Sequence, residues 1–336
     1  MILAEARIKN LASQEPRCAS LAEARIKNLA SQEPRCASLA EARIKNRFVV
    51  MMRNKSIKKA VLPIAGLGTR FLPLSKTFPK ELWPLLNRPV LDYIVKEVRD
   101  AGVKEVIFVN SLGKKIVENY FKPDRKMEKV LEKRNKKELL SKLKKDQNNF
   151  QGLKFSSVIQ KKPLGDGHAI LQAKEKIGKD PFMVSFGDDI VVSKVPCLLQ
   201  MAKVFAKYGQ PVIAIKKVAL EKVSLYGALR VKKIGSRTYQ IKEIIEKPKP
   251  GKAPSNFVVV GKYILTPEVF KYLEETTPLF KGEILLAMAL EQMIKDGKMI
   301  YGYEFEGDWL ECGNIQGWLE SNLFLAKRHP DFKNFK

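Results

Sequence analysis

The chain has 336 residues, 45 % of them hydrophobic, and a formal net charge of +26. This is enough apolar material for one large α/β domain or two small ones, and it excludes a chain too polar to bury a core. No run of about 18 apolar residues occurs, so no transmembrane helix is expected.

Residues 1–46 are repetitive. Leu3 to Ser20 reads LAEARIKNLASQEPRCAS, Leu21 to Ser38 repeats it letter for letter, and Leu39 to Asn46 begins a third copy. Solenoid units diverge and must each bury a face, which identical 18-residue units interrupted by Pro16 and Pro34 do not. A disordered or weakly helical extension over 1–56 is expected, with Met51 or Met52 as a plausible start of the patterned chain. A targeting or partner-binding tail is the alternative. The opening Met1-Ile2-Leu3-Ala4-Glu5 lacks the basic-then-apolar order of a secretory signal. Cys18 and Cys36 are repeat copies. Cys197 and Cys312 alone make neither a disulfide framework nor a metal-ligand spacing, so a reducing cytoplasm is the expected compartment.

From Ile57 the chain alternates strands and helices. Ala60 to Ala65 is an apolar strand running into a glycine loop. Val90 to Ala101 carries Leu91, Ile94, Val95 and Val98 on one helical face, and Gly102 closes it. Buried strands follow at 106–109, 155–159, 182–186 and 212–215. Between them, Lys122 to Lys145 holds eleven Lys or Arg against four Asp or Glu, 11 − 4 = +7. Its leucines at 131, 139, 140 and 143 fit a solvated helix or helical hairpin inserted over about 122–150. Strands are expected at 228–231, 239–245, 257–265 and 298–305. Helices are expected at 267–275, 283–295 and 315–327, leaving a tail at 331–336. Apolar strands alternating with helices imply an α/β fold with a mixed, mainly parallel sheet covered on both faces, spanning 57–330. The lysines are spread out with little aromatic interleaving, so neither a nucleic-acid nor a membrane partner is expected.

Gly66-Leu67-Gly68-Thr69-Arg70 follows the first strand. Glycines let backbone N–H groups approach a phosphate, and Arg70 adds a planar cationic fork. Gly-x-Gly alone is a common turn, and no third glycine or Gly-Lys-Ser/Thr completes a known nucleotide fingerprint. Pro79-Lys80-Glu81 places a second cation within reach of the same loop. Asp188 and Asp189 follow a buried strand, where open α/β sheets place ligands and where a hard oxygen suits Mg²⁺.

The string AGLGTRFLPLSKTFPKELWPLLNRPVLDYIV resembles the signature of bacterial UTP–glucose-1-phosphate uridylyltransferases, relatives of the glucose-1-phosphate thymidylyltransferases. The resemblance continues through QKKPLGDGHA (160–169), FGDD (186–189), VSLYG (223–227), IEKPKP (245–250), APSN (253–256), VGKYIL (260–265) and Cys312-Gly313. It covers roughly Ile57 to Arg328 and implies a Rossmann-like nucleotidyltransferase fold, Mg²⁺ dependence and a homo-oligomer, a dimer or tetramer.

What the resemblance implies for the site is specific. Ala65, Gly66, Gly68, Thr69 and Glu81 bind the nucleotide, with Arg70 and Lys80 on the leaving pyrophosphate. Gln160 reads the uracil edge, and Gly165 and Gly167 admit the base. Glu246 accepts from sugar hydroxyls, Lys247 neutralises the sugar phosphate, and Gly227 and Gly261 let backbone approach the sugar. Asp188 holds the metal, with Glu311 as a second ligand, while Asp189 caps the following segment or orients the metal's ligands. His168 begins a helix and is not a catalytic base.

The chain departs from the family pattern three times. Asp166 stands where relatives often carry Leu, Glu311 where they have Asp, and Leu285 to Met288 is apolar where they read Gln-Leu-Thr-Asp. The implied reaction is in-line attack of glucose 1-phosphate on the α-phosphorus of UTP. Alternatives are thymidylyl or another sugar-nucleotidyl transfer, and a catalytically weakened paralogue that binds sugar nucleotides.

Overall fold

The computed structural model describes residues 57–112, 115–278 and 282–332. The repeats and the residues after 332 lie outside the described residues. So do the extension and start site expected there.

Strand β1 (Lys59–Pro63) lies between β2 (Glu105–Asn110) and β4 (Phe182–Ser185), with β3 (Lys154–Ile159) at the outer edge. All three of these pairings are parallel. The sheet continues through β9 (Phe257–Leu265), β6 (Val212–Lys217), β10 (Tyr301–Glu304), β8 (Thr238–Glu246) and β7 (Gly227–Lys233). In this half only β6 and β10 run parallel. The sheet is therefore mixed, as expected, but not mainly parallel: among the described residues four pairings are parallel, three of them at β1 and β2, and five are antiparallel. Apolarity alone does not give direction: β9 is buried along nearly its whole length yet antiparallel to both neighbours.

Alternation along the strands builds two cores. Ala60, Leu62, Val106, Phe108 and Met183 face one layer, and Val61, Ile107, Val109, Phe182 and Val184 face the other. Helices α1 (Val90–Asp100) and α6 (Cys197–Tyr208) supply Leu91, Ile94, Val98, Leu198, Met201 and Phe205 to the first. On the second face α5 (Asp166–Leu171), α7 (Val269–Glu275) and α8 (Leu286–Lys295) contribute Ile170, Phe270, Leu273, Leu290 and Met293. Each fully buried Leu, Ile or Phe is worth roughly 1.5–3 kcal/mol of transfer free energy.

After the short α2 (Lys115–Tyr120), the basic segment forms a hairpin of α3 (Arg125–Lys133) and α4 (Lys137–Asn148). Asp124 caps α3 by accepting from Met127 N–H, and Asn135 turns the chain at φ 55°. The hairpin is tied to the body by Arg88 on Asp146 at 2.8 Å. Most of its lysines face solvent.

Two features go beyond the sequence reading. Helix α6 follows Pro196 with apolar residues at 197, 198, 201, 204 and 205 and stops at Gly209 in the left-handed region; that helical spacing and the glycine stop are the signals that mark it in the sequence. Strands β5 (Asp189–Val192) and β11 (Asp308–Glu311) form a separate antiparallel pair, which sets Glu311 opposite Asp189. Helix α9 (Ile315–Ala326) closes the described fold after β11, with Asn314 capping it through Gly317 N–H.

Candidate active site

Because β1 and β4 are neighbours and parallel, their carboxyl ends open at one edge of the sheet. β1 delivers the glycine loop there and β4 delivers Phe186-Gly187-Asp188-Asp189. This is the crevice in which open α/β sheets hold ligands. Gly66 stands in open space, whereas Gly68 needs its φ of 66° to turn into the short helix Thr69–Phe71. Arg70 at the end of this turn is exposed. Its Nη1 lies 3.7 Å from where a Cβ on Gly313 would stand, and Asp188 Oδ2 lies 3.1 Å from the same point, so Gly313 lets both reach one place.

Asp188 and Asp189 are adjacent but differently held. Lys80 Nζ bonds Asp188 Oδ2 at 2.5 Å. Burial opposes the charge on Asp188, but Lys80 and Arg70 outweigh it and hold the carboxyl below its usual range. Asp189 is pushed up to about 7, first by burial and then by the neighbouring Asp188 charge. Trp309 Nε1 donates to its Oδ1 at 2.7 Å. Asp189 is the first residue of strand β5. Glu311, across the ladder, accepts from the Tyr226 hydroxyl at 2.6 Å.

A cavity of about 190 Å³ opens beside these groups. An apolar cavity of about 150 Å³ takes up one benzene ring, so the space suits one six-membered ring. Arg70, Asp188, Asp189, Glu311, Gly227 and Gly261 border it, as do Glu246 and Lys247 from the end of β8. Burial raises the Glu246 carboxyl, partly countered by Lys247, whose Nζ lies 3.7 Å from it. Lys247 itself sits at φ 43°, with its N–H bonded to the Tyr226 carbonyl at 3.1 Å. A non-glycine residue held there marks a position the surroundings over-determine. Gly261 is obligatory for packing: a Cβ would stand 2.2 Å from Asp189 Oδ2 and 2.7 Å from Phe186 Cδ2. The opposite wall is apolar, with Ile244, Leu285, Ala287 and Leu290.

Several expected site residues do not border this cavity. Glu81 is fully buried, with its Cγ 3.1 Å from where a Cβ on Gly187 would stand. Lys80 stands against the glycine loop, its Cβ 3.7 Å from where a Cβ on Gly68 would be, and its ammonium is paired with Asp188. Gln160 is buried, and its Nε2 donates to Gly165 O at 2.9 Å and lies 2.9 Å from His168 Nδ1. Gly165 and Gly167 let their segment close against Ile284 and Leu285. Ala65 and Thr69 belong to the glycine loop, and His168 lies inside α5. The sequence reading assigned no role to Tyr226 OH, to Trp309 or to Lys262. Lys262 is fully buried and pairs with Glu97 at 2.8 Å and Ser185 Oγ at 3.1 Å, directly behind Gly261.

Among the described residues no three His, Cys, Asp or Glu are grouped as a metal site. Mg²⁺ at a nucleotide does not need one, since it takes one or two carboxylates plus phosphate oxygens and water.

The family model described as nucleotidyl transferase matches residues 59–328. The chain belongs to the nucleotidyl transferase family. Within it, the UTP–glucose-1-phosphate uridylyltransferase of Staphylococcus haemolyticus is 40 % identical over 280 residues, covering 83 % of this chain and 96 % of that one. The Bacillus subtilis protein of the same name is 37 % identical over 280 residues, covering 83 % and 94 %. Among solved structures, a UDP-glucose pyrophosphorylase complexed with UDP-glucose is 38 % identical, with a TM-score of 0.73 over 81 % of this chain and 100 % of that one. A UTP-bound enzyme from Acinetobacter baumannii is 35 % identical, with a TM-score of 0.75 over 82 % and 95 %. The nucleotidyltransferase fold implied by the sequence motifs is thus the fold of this chain.

Proposed function

We propose that this nucleotidyl transferase moves the uridylyl group of UTP to glucose 1-phosphate, giving UDP-glucose and pyrophosphate. The observation that carries this is one ring-sized cavity bordered by an ionised Asp188, two cations, Arg70 and Lys247, and the acceptor Glu246. The likeness to enzymes named for this reaction supports the choice of UTP and glucose.

A sugar-phosphate oxygen attacks the α-phosphorus in line. A new P–O bond forms, and the bond to pyrophosphate breaks. The attacking oxygen is already anionic, so the chain needs no nucleophile of its own; its tasks are position and charge neutralisation. Lys247 faces the sugar phosphate, and its strained backbone fixes where the ammonium stands. Glu246 accepts from sugar hydroxyls, while Ile244 and Leu285 take the C–H face of the ring. Arg70 is the exposed cation for the leaving pyrophosphate. Lys80 acts one step back, by keeping Asp188 ionised. Gln160, with Nε2 fixed on Gly165, has its carbonyl oxygen to offer an N–H of the base.

The donor set fits Mg²⁺, with hard carboxylate oxygens on Asp188 and, across the ladder, on Glu311. When bound, the ion would neutralise charge on the triphosphate oxygens. The Tyr226 hydroxyl holds Glu311 through Oε2, which leaves Oε1 as the oxygen it would offer the ion.

Self-association is part of this proposal. Ile315, Leu319 and Leu323 recur every four residues on α9 and are about half exposed, an apolar stripe suited to a second copy. Light scattering on the wild type and on Leu319→Lys checks it: the variant should be smaller. Equal masses contradict this face.

The decisive test is to incubate the protein with UTP, glucose 1-phosphate and Mg²⁺ and to quantify products. UDP-glucose and pyrophosphate should appear in equal amounts. Tight UDP-glucose binding without turnover would instead mean a sugar-nucleotide-binding paralogue.

A further inference from the structure

Two segments from distant parts of the chain are fastened together beside the cavity. Ile284 N–H donates to the Leu164 carbonyl at 2.8 Å, and His168 N–H donates to the Ile284 carbonyl at 3.2 Å. A third bond comes from a side chain: Leu286 N–H donates to Asp166 Oδ1 at 2.9 Å. The seam is tight enough to demand glycine. A Cβ on Gly165 would stand 2.5 Å from Ile284 O, and one on Gly167 would stand 2.8 Å from the carbonyl carbon of Leu285.

Leu286 is the first residue of α8, and its N–H has no partner inside the helix. Leu285 precedes it and offers no side-chain cap. Asp166 therefore caps α8 from another helix, with a carboxylate placed favourably at the positive end of the helix dipole. One side of the seam leads to Gln160, whose Nε2 is bonded to Gly165 O. The other side is the cavity wall of Leu285 and Ala287, and Asp166 itself borders the cavity with Glu246 and Lys247.

We propose that Asp166 is a positioning residue that joins the nucleotide-side loop 160–168 to the sugar-side wall 284–287, so that the two half-sites keep their shapes together. This rests on the proposal that the cavity takes the sugar. Asp166 acts mainly through Leu286 N–H and only secondarily as a charge beside Lys247. An amide oxygen can replace it in the first role, while alanine can replace it in neither.

The test uses Asp166→Asn, Asp166→Ala and Gly167→Ala in the full chain. Hydrogen exchange without ligand reads the clasp alone. In Asp166→Ala the amides of 164–168 and 284–289 should lose protection together, while those of β1 and β4 keep theirs. Steady-state kinetics reads its consequence. Losing a hydrogen bond to a charged group should raise KM for both UTP and glucose 1-phosphate roughly tenfold, with kcat falling less. Asp166→Asn should stay near wild type in both, and Gly167→Ala, which wedges the seam with Asp166 intact, should resemble Asp166→Ala. Loss of protection on one segment only, a rise in only one KM, or an Asn variant as damaged as the Ala variant overturns the proposal. Should Asp166→Ala fail to fold, the Asn and Gly167→Ala variants decide it. A wild type that makes no UDP-glucose would overturn the functional proposal, while the exchange data would still decide the clasp.

Discussion

Asp188 and Asp189 are neighbours in sequence, yet one is kept ionised and the other is drawn towards neutrality. The difference comes from Lys80 and Arg70 on one side and from burial on the other. Burial and charge partners thus set the two carboxyls to opposite tendencies within one crevice. Asp188→Asn keeps the shape but removes the charge that Lys80 balances, and it should lower kcat by roughly 10²-fold or more, the several kcal/mol of a lost metal-binding group. Near-normal turnover in a folded Asp188→Asn protein would remove Asp188 from the mechanism. Lys247→Ala should cost a similar factor through lost charge stabilisation, with no loss of stability, since φ 43° burdens lysine already. A thermal melt run beside the assay separates the two effects. Gly261→Ala should behave differently. Its Cβ would overlap Asp189 Oδ2 and the Phe186 ring, so both turnover and stability should fall, the latter by roughly 1–3 kcal/mol; an unchanged urea midpoint would contradict that packing.

At the scale of elements, the strands were legible because they are apolar runs bounded by turns. Most strands, and helices α1, α7, α8 and α9, appear within a few residues of where the pattern put them. The glycine loop, Asp188, Glu246 and Lys247 were legible as motifs, because each sits at the end of such a strand. Spatial partners were not. That Trp309 bonds Asp189, that Tyr226 bonds Glu311 and that Lys262 pairs with Glu97 depend on contacts 120, 85 and 165 residues apart, which local periodicity cannot carry. The last of these gives a stability prediction. Lys262→Met leaves Glu97 buried without its counter-ion, held by Leu198 N–H at 3.1 Å, and should cost about 3–5 kcal/mol in urea unfolding. The hairpin of α3 and α4 should be tolerant by comparison. Lys142 is exposed, and Lys142→Glu should change neither kcat/KM nor stability by more than about 0.5 kcal/mol.

For the whole molecule, the mixed sheet explains why the cavity sits where it does. Parallel strands around β1 bring the glycine loop and Asp188 to one edge; β9, antiparallel to β4, sets Gly261 beside Phe186 there, and β7, paired with both β8 and β9, brings Lys247 to the same place. Direction of pairing is a property of connections, so apolar runs showed that a buried sheet exists but not how its far half is threaded. The charge of +26 raises pI to about 9.8; among the described residues no helix is long and apolar enough to cross a membrane. The family match begins at residue 59, beyond the repeats, so a chain begun at Met51 should keep full kcat/KM. A large loss would assign the repeats a part in activity.

Nucleotide choice bears most directly on uridylyl transfer. Pyrophosphate release should be measured with UTP, dTTP, ATP and GTP, each against glucose 1-phosphate and a set of other sugar 1-phosphates. The pair UTP and glucose 1-phosphate should give the highest kcat/KM, with UDP-glucose as product. Preference for dTTP or for another sugar phosphate, or no pyrophosphate from any pair, would contradict it.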